Sequence, residues 1–254
     1  MTSPFPLGLT SGTARRQAAA LLALFYGIAY GGMFLVGDMR AGIVTVALSA
    51  LVLGMLMLLA TAFFVRNDVS WRDSLGLGRQ PVGSMLRWSL LGFVGTYVVN
   101  VVLIGAYLTA HGNIEAVAAQ KMTSLGKFAE LPAEAILPLA AFAAVWEETV
   151  FRGFLLGRLR ASMPAQDAPR ALLRRDVLAI VLTGLFFGLG HGYQGVLGIL
   201  QTTAVGVALG GLVVWRKSIW PAIGAHLAID AFGLIMIKVL KPLLDTVMNL
   251  NAVP

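Results

Sequence analysis

Apolar positions in this chain come in long runs separated by short polar breaks. A helix that crosses ~30 Å of hydrocarbon needs about twenty such residues. Seven segments fit, at residues 17–36, 43–65, 88–108, 135–157, 177–190, 196–214 and 219–239. The pattern predicts an all-α fold, a polytopic transmembrane helix bundle of about seven to eight spans. It forms a single integral membrane domain over 1–254, with the chemistry concentrated in a core at about 134–240. The segment at 177–190 is short and ends in Gly190-His191-Gly192, a break tolerated only where protein or water covers the backbone.

Charge placement orients the bundle, because short loops rich in Lys and Arg stay cytoplasmic. With the N-terminus inside, the cytoplasmic set is Arg15, Arg16, Arg66, Arg72, Arg79, Arg87, Arg158, Arg160, Arg170, Arg174, Arg175, Arg216 and Lys217. The outer set is only Arg40, Lys121, Lys127, Lys238 and Lys241, and Arg152 falls inside a span. The first segment follows Arg15 and Arg16 without a small-residue cleavage signature, so it is expected to be a retained helix of a multi-pass protein in the bacterial inner membrane. Ile114, Val117, Ala118, Met122, Leu125 and Phe128 mark a helical stripe in the longest outer connection, an interfacial connector or a lid. The pairs Gly27 and Gly31, Gly184 and Gly188, and Gly206 and Gly210 have the spacing of close helix packing.

Composition agrees. The 254 residues are 58% hydrophobic and 12% charged, with a mean hydropathy of +0.82, outside the range of soluble domains. A net charge of +7 could suggest nucleic acid, but the basic residues flank apolar runs and form no patch interleaved with aromatics, which argues against a nucleic-acid partner. The chain has no cysteine, which removes disulfides, thiol catalysis and thiolate metal sites.

Against this background the polar residues within spans stand out. Glu147, Glu148 and Arg152 lie in one span, with Glu134 at its outer edge. A charge near mid-bilayer costs about 2.5–3.5 kcal/mol on insertion scales, so three within six residues call for a purpose. Glu148 and Arg152 have the favourable i, i+4 order of an ion pair, which locks helices or shapes a site. Glu147 has Phe151 at its own i+4 position and needs another partner or water. His191 sits between glycines that would let a backbone or substrate approach, and His226 shares a helix face with Asp230. By helix rise Glu147, His191, His226 and Asp230 lie ~11–21 Å from the expected cytoplasmic ends, one slab that a hydrated cavity would explain.

The strings Glu147-Glu148-Thr149-Val150-Phe151-Arg152, Phe187-Gly188-Leu189-Gly190-His191 and His226-Leu227-Ala228-Ile229-Asp230 resemble the three ordered motifs of the CPBP family, the CAAX protease and bacteriocin-processing intramembrane peptidases. Leu75-Gly76-Leu77-Gly78 is similar to a stretch common in such proteins. The resemblance implies an intramembrane endopeptidase in which Glu147 activates water with His191. His226 and Asp230 would stabilise the oxyanion, while Glu148 and Arg152 shape the site. The prenyl-protein enzymes have Asn in place of Asp230, so Asp230 either donates as a neutral acid or orients His226. Amide hydrolysis needs the same parts on chemical grounds: activated water, a buried base and oxyanion donors.

A zinc version is open, with Glu147, His191 and His226 as a two-His, one-carboxylate set, although the His-Glu-x-x-His helix is absent. The expected partners are the lipid bilayer and a peptide or protein, prenylated CAAX proteins being the family's best-known substrates, entering from the cytoplasmic side or laterally. An ion-coupled transporter would use the same buried charges but expects an internal repeat, whereas the charged cluster falls only in the second half. A non-catalytic scaffold or immunity protein would keep the fold without the reaction.

Overall fold

The computed structural model describes residues 9–36, 42–112, 117, 119, 121, 124–163 and 168–251. Ile114, Ala118 and Met122 of the stripe, and Arg40 of the outer charge set, lie outside them. The long helices are α1 (Ser11–Val36), α2 (Ile43–Val65) and α4 (Val82–His111), with the short α3 (Trp71–Ser74) in the loop before α4. A single rod then runs through α5 (Ala133–Glu147), a π-helical segment (Glu148–Leu155) and α6 (Leu156–Ser162). It is followed by α7 (Pro169–Leu189), α8 (Gly195–Arg216) and α9 (Trp220–Asn251).

Seven rods among the described residues therefore answer the seven apolar segments in order. By length and composition alone, α2, α4, α8 and α9 are apolar enough to cross a membrane. Their outward faces are apolar, as at Val98, Val101 and Val102 of α4, the inverse of a soluble surface. The chain is an integral membrane helix bundle.

The expected short span at 177–190 is corrected, since α7 begins at Pro169 with proline in its first turn. Its first two turns were unreadable as span because they carry Arg170, Arg174, Arg175 and Asp176. Those charges are accommodated by pairing: Asp176 accepts from Arg160 at 2.8 Å and from Arg175 at 3.0 Å. Arg158, fully buried, donates to both oxygens of Asp68 and to Gln17 Oε1, joining α6 to α1 and to the loop after α2. The Arg-bearing helix ends thus meet at one end of the bundle. There the backbone N–H of Ile219 donates to Gly76 O, fixing the start of α9 against the Leu75-Gly76-Leu77-Gly78 loop.

Glycine sets the closest helix contact, α7 on α8. A Cβ at Gly184 would lie 2.9 Å from Val207 N, and one at Gly206 would lie 2.7 Å from Gly184 Cα. Only hydrogen fits there, as the small-residue spacing predicts. Gly27 and Gly31 do not behave this way: both face open space, and α1 is held by its aromatic neighbours instead.

Candidate functional site

The rod α5–π–α6 changes its winding at the charged motif. Glu147 ends the α-helix and Glu148 to Leu155 form the π segment, all eight of its residues buried. A π turn re-aims side chains and is uncommon outside functional sites. Its close neighbour is the loop after α3, where Leu75 O would lie 3.0 Å from a Cβ at Gly153, so Gly153 is what lets that loop press on the widened turn.

Glu148 and Arg152 point into protein, both at 0% exposure. Arg152 Nη1 donates to Glu148 Oε1 at 2.9 Å, the pair the spacing predicts. The same Oε1 accepts from His226 Nδ1 on α9 at 2.8 Å. Glu148 is therefore a bridge between two cationic or ring donors on different helices. The Arg152 guanidinium also stacks on Phe187 at 4.1 Å, and Phe187 packs edge-on against His226 and tilted against His191. One aromatic ring thus sits among three of the polar site residues.

Glu147 faces the other way. Its Oε2 finds no hydrogen-bond partner within the protein and lies 3.8 Å from His226 Nε2. Asp230 Oδ2 lies 3.5 Å from that same nitrogen. His226 thus has Nδ1 on Glu148 and Nε2 turned toward Glu147 and Asp230.

His191 stands where α7 breaks. Its Nδ1 is 2.9 Å from Phe187 O, and since a carbonyl only accepts, Nδ1 carries the hydrogen and Nε2 keeps a lone pair in the neutral ring. Carbonyls at this end of α7 also accept from α1: Tyr26 Oη donates to Phe186 O at 2.5 Å, beside its helical bond from Gly190 N, and Tyr30 Oη donates to Leu189 O at 2.6 Å. The glycines beside His191 serve this docking. A Cβ at Gly190 would meet Phe25 at 3.0 Å and one at Gly192 would meet Tyr30 Oη at 2.9 Å, so aromatic side chains of α1, and not a substrate, occupy the space they leave. Tyr26, Tyr30 and Phe25 escape sequence reasoning because their partners are some 160 residues away and α1 carries no charge near them.

A cavity of about 720 Å³ adjoins the cluster and is lined by Glu147, His191, His226 and Asp230 together. It falls in the ~300–1,000 Å³ range of ligand sites. Further polar atoms reach it from Tyr97 and Asn100 of α4 and Gln201 and Thr202 of α8, and apolar side chains cover most of the remainder. Leu125 and Phe128 of the outer stripe form its wall with Lys121, whose pKa burial lowers. Lys238 fastens this wall by donating to Ala129 O and Leu131 O.

Toward the Arg-rich end the rod continues through Phe154, Leu155 and Leu156, all fully buried. Glu134, at the start of α5, is exposed and apart from the cluster. Among the described residues no three of His, Asp or Glu are grouped so as to hold a metal ion.

Residues 130–232 match the family model described as type II CAAX prenyl endopeptidase Rce1-like. No curated protein and no solved structure matches the chain. The matched stretch holds Glu147, Glu148, Arg152, His191, His226 and Asp230, the residues that meet around the cavity or directly behind it. The chain is an integral membrane protein whose residues 130–232 are similar to the type II CAAX prenyl endopeptidase Rce1-like family.

Proposed function

We propose that this protein is an intramembrane endopeptidase that hydrolyses a peptide bond with water activated by Glu147 and His191, without a metal. The observation that carries the reading is the shared cavity of Glu147, His191, His226 and Asp230, with Glu147 Oε2 unpartnered beside it. A carboxylate oxygen left without a hydrogen bond within a membrane is costly unless it has work to do.

In this mechanism the Glu147 carboxylate accepts a proton from a water that His191 Nε2 holds as acceptor. The water oxygen attacks the substrate carbonyl carbon, and the charge develops on the carbonyl oxygen. His226, with Nδ1–H held by Glu148, donates from Nε2 to that oxygen as the doubly protonated ring. Asp230 steadies the same nitrogen until substrate arrives, which favours its orienting role over donation as a neutral acid. Collapse of the tetrahedral species releases the amine, and Glu147 returns the proton to it. Glu148 and Arg152 lie behind His226 and position it.

The substrate class is a peptide or protein segment with apolar side chains, matching the mostly apolar walls; a prenyl group is not required by any feature of the cavity. The test is incubation of the purified protein with a peptide library, beside Glu147→Ala. Cleavage by the wild type and none by a folded Glu147→Ala is expected. Equal cleavage by both would end the proposal.

A further inference from the structure

The cavity occupies one half of the bundle's thickness. Along each helix its lining comes from the portion away from the Arg-rich end: Ala29 on α1, Val46 on α2, Ile104 on α4, Gln201 on α8 and Ile237 on α9. Its outermost wall is the connection before α5, at Lys121 and Phe128. Toward the other end no lining is contributed; Phe154, Leu155 and Leu156 are fully buried there, and beyond them lie the ion pairs of Arg158 with Asp68 and Arg160 with Asp176.

The two ends differ strongly in charge. Thirteen of the 19 Lys and Arg residues belong to the end away from the cavity, whose helix starts and loops the hydrogen bonds of Arg158 and of Ile219 N tie together. Short basic loops remain on the cytoplasmic side during insertion. That end is then cytoplasmic and the cavity faces the other compartment.

We propose that this protein takes its substrate from the extracytoplasmic side of the membrane: a peptide segment exposed there, or the outer half of a membrane-embedded segment. This rests on the proteolytic reading of the site and narrows it.

The absence of cysteine makes the test clean, because one introduced thiol reports alone. Thr202→Cys places it in the cavity wall, and Gln194→Cys in the turn between α7 and α8. Arg79→Cys marks the opposite end, where Arg79 is exposed. Full-length variants in right-side-out and inverted bacterial membrane vesicles are treated with a membrane-impermeant maleimide, with detergent-solubilised protein as the reference for folding and thiol reactivity.

Thr202→Cys and Gln194→Cys are expected to label in right-side-out vesicles and Arg79→Cys only in inverted ones. The reverse pattern overturns the proposal, and so does a Thr202→Cys that labels only from the side of Arg79. Should Thr202→Cys fail to fold, Gln194→Cys against Arg79→Cys gives the same decision. Labelling needs no turnover, so an inactive protein labelled as expected would remove the peptidase and leave the sidedness. An active protein labelled in reverse would do the opposite.

Discussion

Replacing Glu148 by Gln separates the residue that builds the site from the one that works in it. Glu148 Oε1 accepts from Arg152 at 2.9 Å and His226 at 2.8 Å, and all three side chains are at most 5% exposed. Glu148→Gln removes the charge but keeps the shape. Arg152 then sits buried with Nε and Nη2 already without partners, so the loss falls in the ~3–5 kcal/mol range of a broken buried pair. His226 also loses a charge-assisted hydrogen bond worth ~1.5–3 kcal/mol. If that bond is fully felt in the transition state, kcat falls about ten- to 150-fold. Glu147→Gln contrasts with this, because the structure records no hydrogen bond to Glu147 Oε2 that would be lost. Its stability should stay near wild type while the rate falls ~10²–10⁴-fold, the size of a lost general base. Denaturation of detergent-solubilised protein gives the first quantity and peptide cleavage the second. A Glu148→Gln protein as stable as wild type, or a Glu147→Gln protein equally destabilised, would refute the division of roles.

Treatment with a zinc chelator should leave peptide cleavage within about twofold, since no trio of His, Asp and Glu among the described residues is arranged to hold a metal; loss of cleavage restored by zinc would contradict this. Gly188→Ala should destabilise by about 1–3 kcal/mol, because its Cβ would lie 2.7 Å from Ile199 O and 2.9 Å from Thr203 N on α8; an unchanged denaturation midpoint would show that α7 and α8 are not so closely packed.

The parts of this account that were readable from sequence are those governed by local cost. Charges within apolar runs mark Glu147, Glu148 and Arg152, because the bilayer penalises them wherever the chain goes next. Helical spacing likewise pairs Glu148 with Arg152 and His226 with Asp230. What was hidden depends on distant partners. The π turn lies where the rod meets Leu75 and His226 of α9, contacts that no local pattern in the sequence encodes. Tyr26 and Tyr30 are ordinary apolar-span residues until α7 breaks beside them. The charged start of α7 was unreadable as helix because its neutralising partner, Arg160, lies in the preceding element. Helix depth placed the four polar residues at one level, but it says only how far a residue lies from an end, not which helices wall the cavity around it.

The central claim is that Glu147 and His191 act on one water as a unit. The most direct measurement is kcat/KM for the wild type, Glu147→Gln, His191→Gln and the double variant on one cleaved peptide. Residues acting as a unit give non-additive losses. The double variant is predicted to lose little more than the more damaging single one. Losses that multiply across the two positions would mean that Glu147 and His191 act independently, and would contradict the shared site.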